Sequence, residues 1–215
     1  MRRSTRRKQS GATIIEFSLS LAFLVPLLIG TLVFGFRLVQ AQQVDQITRD
    51  LAHMYSRGVS FTTTGGAGEA ESLADQFGLT STGNCALIFS TITLETASAC
   101  NSGTGGSSGT CTNLGQPVIT QQVGIGNVTA NASAFGTPVA SGTLPATSGV
   151  TNDYSTSPTA AQLANNTWTV ANGFSSVVTL TSGQIVYVVE MFDHTPALSV
   201  GGITGQPVVY SRAVF

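Results

Sequence analysis

Residues 17–36, FSLSLAFLVPLLIGTLVFGF, form a run of twenty without a single charged side chain. As an α-helix such a run is about 30 Å long, the thickness of the hydrocarbon core of a bilayer. A helix that is apolar on every side is not the amphipathic helix of a soluble surface, and to bury it a domain of this size would have to surround its whole circumference. The run therefore predicts a membrane-spanning helix. Its flanks predict an orientation: Arg2, Arg3, Arg6, Arg7 and Lys8 precede it, whereas Arg37, Arg49 and Arg57 beyond it are offset by Asp45 and Asp50. Excess positive charge stays in the cytoplasm, so the N-terminus is expected there and the chain after residue 36 on the far side of the membrane. A cleaved secretory signal fits poorly, because its apolar core is about 7–15 residues long and ends at a small-x-small site.

Glu16 stands at the cytoplasmic entrance of this run. A carboxylate there is costly, by about 3 kcal/mol or more at the membrane centre and less near the headgroups, where it can reach water. Upstream of it the string Gly11, Ala12, Thr13, Ile14, Ile15, Glu16, Phe17 sets a glycine, four residues, an acid and an aromatic between a basic leader and the apolar run. This resembles the processing site of type IV prepilins. The resemblance implies that a prepilin peptidase cuts after Gly11 on the cytoplasmic side, leaving Ala12 as the new N-terminus with the apolar segment retained. Such a cut removes all five leader cations and creates one α-amino cation close to Glu16. In a dry bundle of such helices that cation needs a partner, which the Glu16 of a neighbouring subunit supplies.

The resemblance narrows over Leu21 to Gly30, with Pro26 among leucines, and the later Phe34-Gly35. Residues 10–45 look like the N-terminal module of TadE-like proteins, minor pseudopilins of the tight-adherence (Tad or Flp) pilus system. Phe17 stands where many pilins of that system have tyrosine, and Val33 where TadE-like sequences often place an acid. The family implies a single-pass protein of the inner (cytoplasmic) membrane with its C-terminal domain exported. It also implies pilin or pseudopilin subunits and the pilus assembly machinery as partners, and roles in pilus assembly, adhesion or secretion. Glu16 and Phe17 are the expected assembly residues.

Beyond Arg37 the pattern becomes amphipathic: Val44, Ile47, Leu51 and Met54 recur at spacings of three and four, one apolar stripe of a helix. Asp45 and Arg49 form an i, i+4 pair on the polar side, and Gly58 is a stop signal. The expected helix runs over residues 13–57, about 65–70 Å. Its stripe is expected to cover the chain's own sheet rather than a partner.

Residues 59–215 carry seven acids against Arg212, and the whole chain is only 9% charged. The basic charge is a short N-terminal tail and not a surface, which argues against a nucleic-acid partner. Residues 62–68 read as a linker and 69–77 as a short helix ended by Gly78. Strands are expected at 86–94, 118–125, 168–171, 177–180, 184–192 and 207–214, from their β-branched and aromatic content. A short capped helix is expected around Ser157, Pro158 and residues 159–164. The fold class is then α+β: a leader (1–11), a long helix (12–58), and an exported, strand-rich domain (59–215); the order resembles the pilin architecture, which implies a pilin-like globule with the second half of the helix packed on an antiparallel sheet. The last two strand candidates also resemble the ends of TadE-like proteins.

Cys85, Cys100 and Cys111 all lie on the exported side, where disulfides persist. Cys100 and Cys111 flank a Gly/Ser segment whose closure would contribute about 2–3 kcal/mol, which makes them the first-choice pair, with Cys85 to either as the alternative. No structural zinc is expected, because three isolated cysteines lack paired ligand spacing. No cofactor or catalytic residue stands out. Glu190, Asp193 and His194 could in principle hold a metal or act hydrolytically, although a solvated turn is the simpler account of them. Two other readings compete with a pilin-like subunit: an uncleaved membrane-anchored envelope protein with a ligand-binding β domain, and an anchored hydrolase built on those three residues.

Overall fold

The structure, a computed structural model, describes residues 10–103, 111–139, 154–194 and 208–215. The basic residues Arg2 to Lys8, Asp153, Pro207 and most of the segment between Cys100 and Cys111 lie outside the described residues. The chain divides into two compact units, and the boundary after Gln40 falls inside the first helix. The fold is α+β, one long N-terminal helix and an antiparallel sheet.

Helix α1 spans Ser10–Ser56, about 70 Å of continuous helix. Pro26 is accommodated inside it, although its missing N–H removes one bond of the helical ladder. The helix stops where the glycine predicts. Gly58 has φ +88°, its N–H donates to the Tyr55 carbonyl at 3.0 Å, and the Val59 N–H donates to the Met54 carbonyl at 3.1 Å. These crossed bonds form a Schellman stop, which satisfies carbonyls that the helix end would otherwise leave open.

In the second unit four long strands, β1 (Cys85–Leu94), β2 (Pro117–Gly126), β4 (Ile185–Asp193) and β5 (Val209–Val214), and the short edge strand β3 (Tyr154–Thr156) form one sheet in the order β3-β2-β1-β4-β5. Every pairing is antiparallel. On β1, β2 and β4 alternation decides which side chains face α1. Leu87, Phe89, Val123, Ile125, Val189 and Met191 point to one face and pack with Val44, Ile47, Leu51, Ala52 and Tyr55 of the helix. The stripe thus covers the chain's own sheet, with Met54 half-buried beside it. Tyr55 is the hub. Its ring meets Phe61, Phe89 and Tyr187 edge-on, and its hydroxyl pairs with the Thr91 hydroxyl at 2.7 Å. Phe61 stacks on Phe89 with ring centroids 4.1 Å apart.

The opposite face of the sheet is covered by irregular chain and single turns of 3-10 helix. Ile92, Ile119, Val186 and Val188 pack with Phe135, Ala171 and Phe174, and Ala86 and Ile88 pack with Val128. Here two expected strands are corrected. Residues 167–169 and 174–176 form 3-10 turns, and the 168–171 segment contributes only a single bridge, Val170 to Val118. Residues 177–180 form no strand. Their apolar side chains, Val178 and Leu180, cap the core rather than pair.

The expected linker at 62–68 is also corrected, because helix α2 spans Thr64–Ala74 and a 3-10 turn over Asp75–Phe77 follows. Thr63 caps it by accepting from the Gly66 N–H at 3.3 Å. Glycine is needed in this helix for packing: a Cβ on Gly66 would lie 2.1 Å from the Ser60 carbonyl oxygen. Two further short helices, α3 (Ala97–Gly103) and α4 (Ala160–Asn165), lie against each other. The cap of α4 is Thr159, two residues later than Ser157, in a reciprocal box with Gln162 that satisfies donors at the helix start.

Candidate functional site

Gly11 and Ala12 lie in the first turns of α1, Glu16 and Phe17 one turn further on. Ala12 and Glu16 are four residues apart in the sequence of α1. Glu16 is exposed, its backbone carbonyl accepting from the Ser20 hydroxyl at 2.9 Å. After it no acidic or basic side chain occurs until Arg37.

The surface of this half of the helix is its main chemical property. The helix is long and apolar enough to cross a membrane, with none of its most apolar window buried. Twelve large apolar side chains between residues 17 and 36 are exposed, Phe23 at 74% and Phe34 at 70%. Leaving so much hydrocarbon in water would cost roughly 20–35 kcal/mol at about 1.5–3 kcal/mol per side chain. That exceeds the whole stability of a typical domain, about 5–15 kcal/mol. Lipid or neighbouring helices around this surface would remove that cost. Ser18, Ala22, Pro26 and Gly30 follow one another at i, i+4 spacing, and a Cβ on Gly30 would meet nothing within 4 Å. Small residues along one side allow a neighbouring helix to approach closely.

In the second unit the structure does not bring Glu190, Asp193 and His194 together. Three residues apart on β4, Glu190 and Asp193 point to opposite faces. Asp193 stands opposite Cys85 in the sheet, in the helix-side core, and both are fully buried. Burial, followed by the nearby charge of Asp193, pushes the Cys85 thiol up to about 12. His194 pairs through Nε2 with Asn131 Oδ1 at 2.7 Å.

Glu190, also fully buried, is a clamp for the covering chain. It accepts from the Ser133 hydroxyl, from the Ala134 N–H at 3.0 Å and from the Tyr210 hydroxyl at 2.7 Å. Burial first, then the charge and hydrogen bond of Glu190, push the Tyr210 hydroxyl well above its ordinary range, against the opposing effect of Arg212. Arg212 lies 4.9 Å over the Phe135 ring. Nothing in the local sequence pattern marks Glu190 as a clamp, because its partners come from residues 133–134 and from β5. A cavity of about 120 Å³ lined by Leu94, Pro117, Val178 and Leu180 is smaller than the roughly 300–1,000 Å³ of small-molecule sites.

Cys100 and Cys111 are joined in a disulfide with Cα atoms 5.9 Å apart, and Cys85 is free and buried. The Cys111 end is docked on α4: Asn113 Nδ2 donates to the Leu163 carbonyl at 2.7 Å and to the Asn166 carbonyl at 2.9 Å. Glu95 lies beside the disulfide, 3% exposed, with burial raising its carboxyl above the ordinary value. No family model, no curated protein and no solved structure matches the chain.

Proposed function

We propose that the chain is a non-enzymatic structural subunit of a pilus-like assembly, a TadE-like minor pseudopilin. It is made with a cytoplasmic leader, cut after Gly11, anchored by residues 17–36, and packed side by side with other subunits through the N-terminal half of α1. The observation that carries this reading is the exposed apolar half of α1, headed by Gly11 and Glu16. It needs a non-aqueous partner along its whole length, and it carries an acid where a new α-amino cation would arise. A helix bundle meets both needs at once. The C-terminal domain then lies on the exported side, where the Cys100–Cys111 disulfide persists.

Intact mass and N-terminal sequencing of the membrane-bound protein from its native host test the reading directly. A mature start at Ala12, abolished by Gly11→Val, is the expected result. Glu16→Gln should leave cleavage and membrane insertion in place while subunit cross-linking falls, because the charge that fixes register is gone. An intact Met1 together with indifference to Glu16→Gln would favour an uncleaved anchored envelope protein instead.

A further inference from the structure

We propose that Glu95, Cys100 and Cys111 form a redox-gated site for a zinc-like divalent cation, closed while the two cysteines are joined and open when they are reduced. The two sulfur atoms are joined in the disulfide, and one Glu95 carboxylate oxygen lies within 4.8 Å of both. Glu95 lies one residue past β1, Cys100 lies in α3, and Cys111 lies between α3 and β2, two residues before Asn113, whose amide donates to the Leu163 carbonyl of α4. The carboxylate supplies the second observation. Glu95 is 3% exposed, and among the described residues its Oε1 has no hydrogen-bond partner. A buried carboxylate oxygen without a partner is costly, and a cation held by this carboxylate and the sulfurs would offset that cost.

The donor set selects the ion. Two thiolates and one carboxylate suit tetrahedral zinc, with a fourth position left to water, and do not suit calcium or magnesium. The opening step is a thiol–disulfide exchange with a dithiol reductant: its two S–H groups become one S–S bond, and the Cys100–Cys111 bond becomes two thiols. Cation binding then displaces one proton from each thiol to solvent. The disulfide and the metal are thus alternative ways of joining Cys100 to Cys111; the inference does not depend on pilus assembly, and with the domain exported it requires that the dithiol reductant act on that side.

The test uses the full chain in detergent, reduced with a phosphine, freed of reductant and titrated anaerobically with Co2+. One Co2+ per chain should bind, with sulfur-to-cobalt charge-transfer absorption and tetrahedral ligand-field bands that Zn2+ abolishes; the oxidised chain should show neither. Zn2+ should also shield Cys100 and Cys111 from alkylation. Glu95→Gln, which keeps the shape, should weaken binding by at least the about 10–100-fold that outer-shell changes cost, and Cys111→Ser should remove the charge-transfer band. The proposal is overturned by a reduced chain of native circular dichroism that binds no Co2+, or by undiminished affinity in Glu95→Gln. It is equally overturned if reduction unfolds the chain and Zn2+ does not restore the native spectra.

Discussion

The two halves of α1 share one backbone geometry and have opposite fates. Residues 17–36 expose large apolar side chains on every side, whereas Val44, Ile47, Leu51 and Tyr55 are buried against the sheet with polar residues between them. The difference is one of pattern, not of helix-forming tendency. The stripe finds its cover in its own chain, whereas the full cylinder of hydrocarbon has none among the described residues.

The sharpest way to break that comparison is a pair of equal truncations. Phe61→Ala, which unstacks Phe89 beneath the second half of the helix, should lower the stability of the second unit by about 3–5 kcal/mol. Phe23→Ala should leave urea unfolding of the same unit, followed in detergent, within about 0.5 kcal/mol. Equal losses would show that the two halves are energetically one unit.

Next in size is an alkaline effect confined to the second unit. The Cys85 thiol, ordinarily at 9.0, is held to about 12 in the folded chain. The unfolded chain therefore loses its proton first, and stability should fall as pH rises from about 9 to about 12, by up to about 1.4 kcal/mol per pH unit from this group. Cys85→Ala should flatten the slope by one proton; parallel curves for wild type and variant would contradict the assignment. Gly58→Ala places a side chain at φ +88° and should cost about 1–2 kcal/mol, visible as a lower thermal midpoint with unchanged membrane insertion. The smallest effect belongs to Arg49→Ala. The exposed Asp45–Arg49 pair, 2.8 Å apart, should contribute no more than about 0.5 kcal/mol, and a loss above 1 kcal/mol would place Arg49 in a larger network.

The same contrast explains what could be read from the residues alone. Long, strongly patterned elements were legible: α1 to within three residues at its start, and β1, β2 and β4 to within one residue at either end, because β-branched alternation and burial agree there. Short apolar segments misled. Residues 168–171 and 177–180 have strand-like composition, yet their side chains are satisfied by capping a core already built by Ile119 and Val188, and 3-10 turns deliver them there. Residues 62–68 read as a linker because glycines weaken helices; what overrides the propensity is the close approach of Ser60 to Gly66, a contact that no local pattern announces. Cys100 and Cys111 were legible as a pair from the short segment between them. Glu95 was not, since its position depends on how β1 runs into α3. Gly11 and Glu16 stand out through their place in a motif, and their roles are for the cleavage and cross-linking experiments to decide.

The covering chain on the far face of the sheet is anchored at separate points: Val128 in an apolar cluster, Asn131 at His194, Ser133 and Ala134 at Glu190, and Gly136 at Gln122. Thr129 and Ala130 are exposed between the first two anchors. A peptide inserted there would be held at both ends without entering the core, so this pair of residues is a natural place for the protein to carry a foreign epitope or a label while the sheet beneath it keeps its register.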